Sequence, residues 1–166
     1  MTYEQWLRSV PPEITDDPLW QMKVYRLALF ASDLGWVDVS RLMRDRRVQG
    51  LADQLYRALG SIGANIAEGY SRRSRKDRAR FYEYALGSAR EARTWYYQGR
   101  HVLPEAIVSH RLRLLTDIVR LLLTIIPRER DWGVAEEGAI YQIGAAPPSD
   151  SLDEDLTHLL NNVPMP

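Results

Sequence analysis

The sequence predicts an all-α protein: an antiparallel up-down four-helix bundle followed by an acidic, largely irregular C-terminal tail. Three observations carry that reading. Apolar residues recur at three- and four-residue intervals in four successive stretches. Nothing before residue 132 alternates with the period of two that a half-buried strand requires. Proline, glycine and capping residues punctuate the stretches at their ends. With 166 residues, 45% of them apolar, and five Trp, the chain can build the core of one domain and is not disordered throughout. The expected division is an N-terminal arm over 1–15, the bundle over 16–130 and the tail over 131–166.

The first helix opens at Asp17-Pro18, where Asp17 caps and Pro18 takes the first helical position, at which a missing N–H costs nothing. Trp20, Val24, Leu27, Ala31 and Leu34 follow on one face; Gly35 is expected to end the helix and 36–43 to form a linker. The second helix carries Val48, Leu51, Leu55, Leu59, Ile62 and Ile66 and closes at Gly69. Ser74, with Asp77 three residues on, opens the third, whose core seam is read as Phe81, Ala85, Ser88, Ala92 and Trp95. The fourth starts near Pro104-Glu105, turns Ile107, Leu115, Ile118, Leu122 and Ile125 inward and stops before Pro127. Beyond it Gly133, Gly138, Gly144, Pro147 and Pro148 break the periodicity. Leu152, Leu156, Leu159 and Leu160 outline a short amphipathic helix within 151–162, able to dock on a partner or on the bundle.

Charge is balanced overall, 22 basic against 22 acidic residues, yet sorted along the chain. Residues 1–40 carry a net −3, 41–100 a net +8, 101–130 a net +2 and 131–166 a net −7. Twenty of the basic residues are Arg, which a GC-rich genome explains as readily as a need for guanidinium forks. The absence of cysteine excludes a disulfide scaffold, a thiol nucleophile and a Cys-based zinc site. No signal peptide is visible, and the longest apolar stretch, 112–126, is interrupted by Arg113, Asp117 and Arg120 and too short for a bilayer. A cytoplasmic protein with no membrane role is expected.

No catalytic constellation emerges. His101, His110 and His158 stand apart, and the Glu-x-x-His pairs of a di-iron bundle are missing. No metal, cofactor or enzymatic activity is expected. Gly60-Ser61-Ile62-Gly63 lies inside a helical run and reads as small residues that let helices approach, not as a phosphate loop. Ala-Leu-Gly-Ser occurs at 58–61 and again at 85–88, which suits two crossing points on adjacent helices.

The informative stretch is basic. Arg72, Arg73, Arg75, Lys76, Arg78 and Arg80 crowd the turn before the third helix and its first turns, with Arg41, Arg44, Arg46 and Arg47 as a second group. Cations at a helix N-terminus are opposed by its free N–H groups by about 0.3–1 kcal/mol each. A bound anion reverses that penalty, since N–H groups, dipole and guanidinium groups then all address it. A solvated turn paired with the acidic tail is the competing reading. On the third helix Tyr82, Tyr84, Leu86, Tyr96 and Tyr97 fall off the seam and are expected at an interface between copies.

The stretch from Gly50 through Ser61-Ile62-Gly63-Ala64-Asn65-Ile66-Ala67-Glu68-Gly69, then Arg73-Ser74, then Phe81-Tyr82-Glu83-Tyr84-Ala85-Leu86-Gly87-Ser88-Ala89-Arg90-Glu91, resembles the four-helix-bundle family named for proteins encoded in 23S rRNA intervening sequences. Its signature runs S-I-P-x-N-I-A-E-G, R-x-S, F-x-x-x-A-x-G-S-x-x-E. Gly63 replaces the usual Pro, and the likeness spans about 17–128. The resemblance implies up-down bundles assembled into ring-shaped oligomers, often pentamers. It also implies kinship with the accessory variability protein of diversity-generating retroelements, which binds a reverse transcriptase and nucleic acid through a basic surface. Asn65, Glu68, Gly69, Ser74, Gly87, Ser88 and Glu91 match the signature and are expected to be structural. Glu68, opposed to the dipole at a helix C-terminus, needs a fixed partner such as a nearby Arg or the N–H groups opening the third helix. The expected function is a non-enzymatic ring that binds RNA or DNA, or a nucleic-acid-handling protein such as a reverse transcriptase, through its basic surface. The alternative is a homo-oligomeric scaffold with no nucleic-acid role.

Overall fold

A computed structural model of the chain describes residues 2–130 and 149–165, and they form seven α-helices with no strand among them. The irregular stretch expected at 131–148 lies outside the described residues. Helix α1, Tyr3–Ser9, starts on a reciprocal cap: the Thr2 hydroxyl accepts from Gln5 N and the Gln5 amide oxygen from Thr2 N. It buries Trp6, whose indole N–H donates to Asp33 at 2.6 Å and whose ring lies 5.2 Å from that of Phe30. The expected arm is therefore fastened to the body. After the short α2, Pro12–Thr15, Asp17 caps Leu19 N at 2.8 Å as expected. The Pro18–Gln21 turn it starts is a 3-10 turn, however, and α3 proper is Lys23–Leu42.

Gly35 sits inside α3 instead of ending it. A Cβ there would come within 2.2 Å of Leu59 Cδ1, so the glycine exists to seat a leucine of the next helix against the α3 backbone. The supposed linker is thus mostly helix, with Val39 and Leu42 buried. A turn capped by Asp45 leads to α4, Gln49–Tyr70, and Ser74 caps α5, Arg75–Gly99, through Asp77 N. Helix α6, Glu105–Arg130, continues one turn past the expected stop at Pro127. A proline N cannot donate to the carbonyl four residues back. The last turn is nevertheless held to α5 by Arg78–Glu129 and Arg130–Glu83 ion pairs.

Contacts run α3 to α4, α4 to α5, α5 to α6 and α6 back to α3, a closed circuit with the leucine and isoleucine core inside. The α5 seam differs from the expected one by one residue: Ala79, Tyr82, Ala85, Leu86, Ala89, Ala92, Tyr96 and Gly99 are buried, while Phe81, Ser88 and Trp95 sit at its flank. On α6, Ile126 and not Ile125 is buried. Helix α7, Ser149–Asn161, docks on α6 and touches α1, burying Leu156, Leu159 and Leu160. This is the short amphipathic helix expected within 151–162, docked on the chain's own body.

A buried polar cluster makes that docking specific. Asp38, fully buried, accepts from Arg111 Nε at 2.8 Å, Arg111 Nη2 at 3.3 Å and the Tyr96 hydroxyl at 2.8 Å. Arg111 Nη1 donates to His110 Nδ1 and Nη2 to the Pro164 carbonyl, each at 3.0 Å, and His110 Nε2 donates to the Leu159 carbonyl at 2.9 Å. His110 is therefore the neutral Nε2–H tautomer. Burial, and the Arg111 charge beside it, lower its pKa from 6.5 to about 4. Burial and then Asp38 push the Tyr96 phenol well above its usual value.

Two measurements follow from this packing. At Gly69 a Cβ would come within 2.7 Å of the Tyr82 ring, whereas at Gly87, mid-helix, it would meet nothing within 4 Å. In urea unfolding, Gly69→Ala is expected to lose about 1–3 kcal/mol, and Gly87→Ala to gain about 0.5–1 kcal/mol. Because His110 is neutral when folded and titrates near 6.5 when free, its contribution is whole above pH 6.5. It is lost as pH falls toward 4, up to about 3 kcal/mol. Urea midpoints should drop over that interval, and less steeply in His110→Gln.

Candidate nucleic-acid interface

The expected basic residues do not form one surface. Arg41, Arg44, Arg46 and Arg47 lie at the N-terminal end of α4, and Arg72, Arg73, Arg75, Lys76, Arg78 and Arg80 at its C-terminal end or just beyond, about 33 Å away at 1.5 Å per residue. In the first group Arg47 grips Asp45 through Nε and Nη2, at 2.9 and 2.5 Å. These hydrogen bonds hold the Asp45 carboxyl down at about 2.

At the second end the chain adds what sequence reasoning missed, the last turn of α6. Across 68–83 and 128–130, eight cations meet four carboxylates. Glu68 pairs with Arg72, Asp77 with Arg80 at 3.3 Å, Glu83 with Arg130 and Glu129 with Arg78 at 2.9 Å. Arg73, Lys76 and Arg128 make no ion pair among the described residues. Arg78 is a fastener, not a free cation: its Nη1 also donates to the carbonyls of Arg72 and Arg73, tying turn, α5 and α6 together. An open groove of about 540 Å³ runs between α5 and the α6 end, lined by Arg75, Lys76, Arg80 and Arg130 together with Asp77, Glu83 and Glu129. Up-down topology would have brought Arg128 and Arg130 to this turn; the signal was there in the helix order.

Of the tail's acids, Asp155 lies away from this end. His110 and Arg111 hold residues 159–164, and Asp155 shares a groove with Asp117 and Arg120, ten or more residues, roughly 15 Å, short of Arg130 along α6.

Of the signature residues, Gly69 and Ser88 lie where α4 and α5 meet, Asn65, Glu68 and Glu91 bond to residues four away in the chain, and Gly87 faces open space. Asn65 donates to the Ser61 carbonyl and hydroxyl, and the Ser61 and Ser88 hydroxyls meet at 3.0 Å, so the two Ala-Leu-Gly-Ser segments touch where α4 crosses α5. Glu68 finds Arg72, Glu91 accepts from the Trp95 indole at 3.1 Å, and Gly69 lies under the Tyr82 ring. Of the expected interface residues, Tyr82, Leu86 and Tyr96 are corrected: they are buried in the chain's own core, because the seam of α5 is rotated by one residue. Tyr84 and Tyr97 remain exposed, but thirteen residues apart they lie about 20 Å from each other along α5. They do not make one face.

Among the described residues no group of three or more His, Cys, Asp or Glu is placed to hold a metal ion, and no helix is long and apolar enough to cross a membrane. The fold thus defines an all-helical protein with cation-rich surfaces at both ends of α4. The family model of the 23S rRNA-intervening sequence protein matches residues 21–124, and the chain belongs to that family. A crystal structure of a protein of unknown function from the S23 ribosomal protein family of Bacteroides thetaiotaomicron is similar over 62% of this chain and 97% of its own, at 25% identity and a TM-score of 0.59. No curated protein matches the chain.

Proposed function

We propose that this protein is a non-enzymatic, ring-forming antiparallel four-helix bundle that binds nucleic acid through the α4–α5 turn and the end of α6. The observation that carries the reading is the eight cations against four carboxylates among the described residues of that end, where Arg73, Lys76 and Arg128 pair with none of those carboxylates. Free guanidinium and ammonium groups beside the Ser74-capped start of α5 suit phosphate oxygens, which would also relieve the repulsion from the α5 N–H groups. The same chemistry would serve an acidic surface of a nucleic-acid-handling protein such as a reverse transcriptase.

A second reading, a homo-oligomeric scaffold with no nucleic-acid role, draws support from another surface. Trp36, 62% exposed, meets Tyr56 edge-on at 5.7 Å, with Met43 exposed nearby, on the side formed by α3 and α4. Such a patch suits contact with a second copy in a ring.

Binding of a generic duplex at rising salt separates the two. Three phosphate contacts predict a loss of roughly forty-fold between 50 and 200 mM salt, and the triple variant Arg73→Ala, Lys76→Ala, Arg128→Ala should flatten that slope. No binding to duplex or single strands at low salt would leave only the scaffold. Light scattering reads the ring as a multiple of the 19.2 kDa chain, and a monomer would contradict it.

A further inference from the structure

The end that carries the surplus cations also carries an exposed aromatic ring, Tyr84, beside the half-buried Phe81. Phe81 and Tyr84, on successive turns of the same face of α5, meet edge-on with centroids 5.8 Å apart and planes at 89°. The Arg72 guanidinium lies 4.9 Å from the Phe81 centroid and that of Arg80 5.6 Å. Tyr84 is 53% exposed, and the side chains of Arg72 and Arg80 stay 45% and 56% exposed although each pairs with a carboxylate. Rings, guanidinium planes and the cations of Arg73 and Lys76 are thus presented together.

That combination discriminates between forms of nucleic acid. A duplex hides the faces of its bases in the stack and presents chiefly phosphates. A single strand presents phosphates and base faces at once, and base faces stack on exposed rings and guanidinium planes. We propose that this end takes a single strand, with bases stacked on Tyr84 and on the arginines around Phe81 while Arg73 and Lys76 take phosphates. The proposal rests on the nucleic-acid reading above and narrows it to a substrate class. The far end of α5 supplies the contrast. Tyr97 is equally exposed, but Arg100 lies 3.9 Å over its ring, and its Nη1 is fixed by a 2.7 Å bond to the Tyr97 carbonyl, so a guanidinium already occupies that face.

The test measures fluorescence anisotropy of labelled oligo-uridine, oligo-thymidine and a mixed-sequence duplex of equal length, with the full chain and three variants. The wild type should bind one or both single strands more tightly than the duplex. Tyr84→Ala should weaken single-strand binding by roughly five- to thirty-fold, the loss of one stacked base. Tyr84→Phe should bind like the wild type, and Tyr97→Ala should change nothing. Because a ring contacts no phosphate, Tyr84→Ala should leave the salt slope intact. Circular dichroism guards against misfolding at this exposed position. Duplex binding as tight as single-strand binding, or single-strand binding indifferent to Tyr84→Ala, would overturn this inference and leave the nucleic-acid reading standing. No binding of any of the three would overturn both.

Discussion

The structure turns on one buried ion pair, Asp38 with Arg111. Two charges removed from water need more than each other; every remaining donor and lone pair must be met, or desolvation exceeds the attraction. Here Tyr96, His110 and the Pro164 carbonyl add further bonds, and no buried side-chain N or O atom of the described residues is left without a hydrogen-bond partner. The cluster takes one residue from α3, one from α5, two from α6 and two carbonyls from the C-terminal segment. A leucine core would hold these elements together in several registers; directional bonds of this kind admit one. Its contribution lies in specificity of arrangement more than in net stability.

That arrangement decides what the surface presents. A formal charge of zero conceals a basic middle and an acidic end, and an acidic segment free to move would be drawn to the nearest cations. Residues 156–164, which carry no acid and follow Asp155 directly, are anchored along α6 by apolar side chains and by carbonyls that satisfy His110 and Arg111. Asp155 consequently lies beside Asp117 and Arg120, and burial, with Asp155 adding to it, raises the Asp117 carboxyl pKa. Among the described residues, the cations of the α4–α5 turn exceed the local carboxylates.

Local chemistry was legible in the sequence where it involves neighbours: the Asp17 and Ser74 caps, the face of α4, the small-residue crossing and a fixed Arg partner for Glu68. What was not legible depends on residues distant in the chain. Gly35 reads as a helix end until Leu59 is seen seated on it. The seam of α5 was off by one residue because Phe81 and Trp95 outweigh alanines in an apolar pattern, while the close approach at Gly69 favours Ala85 and Ala89 at the centre and puts the Tyr82 ring beneath α4. Asp38, Tyr96 and Arg111 carry no motif, since their partners lie 58 and 73 residues away. The basic site was half visible: its turn stands out in the sequence, but only the meeting of helix ends adds Arg128 and Arg130 and turns Arg78 from a ligand into a fastener.

Native-state hydrogen exchange at 156–160 tests the central claim, that the buried pair binds the C-terminal segment into the body. Tethered through Leu159 and Pro164 to a buried cluster, these amides should be protected at least roughly a hundred-fold over a free chain and lose that protection in Asp38→Ala while 55–62 keep theirs. Exchange at free-chain rates in the wild type, with α6 fully protected, would show that the segment is not held and would contradict the account.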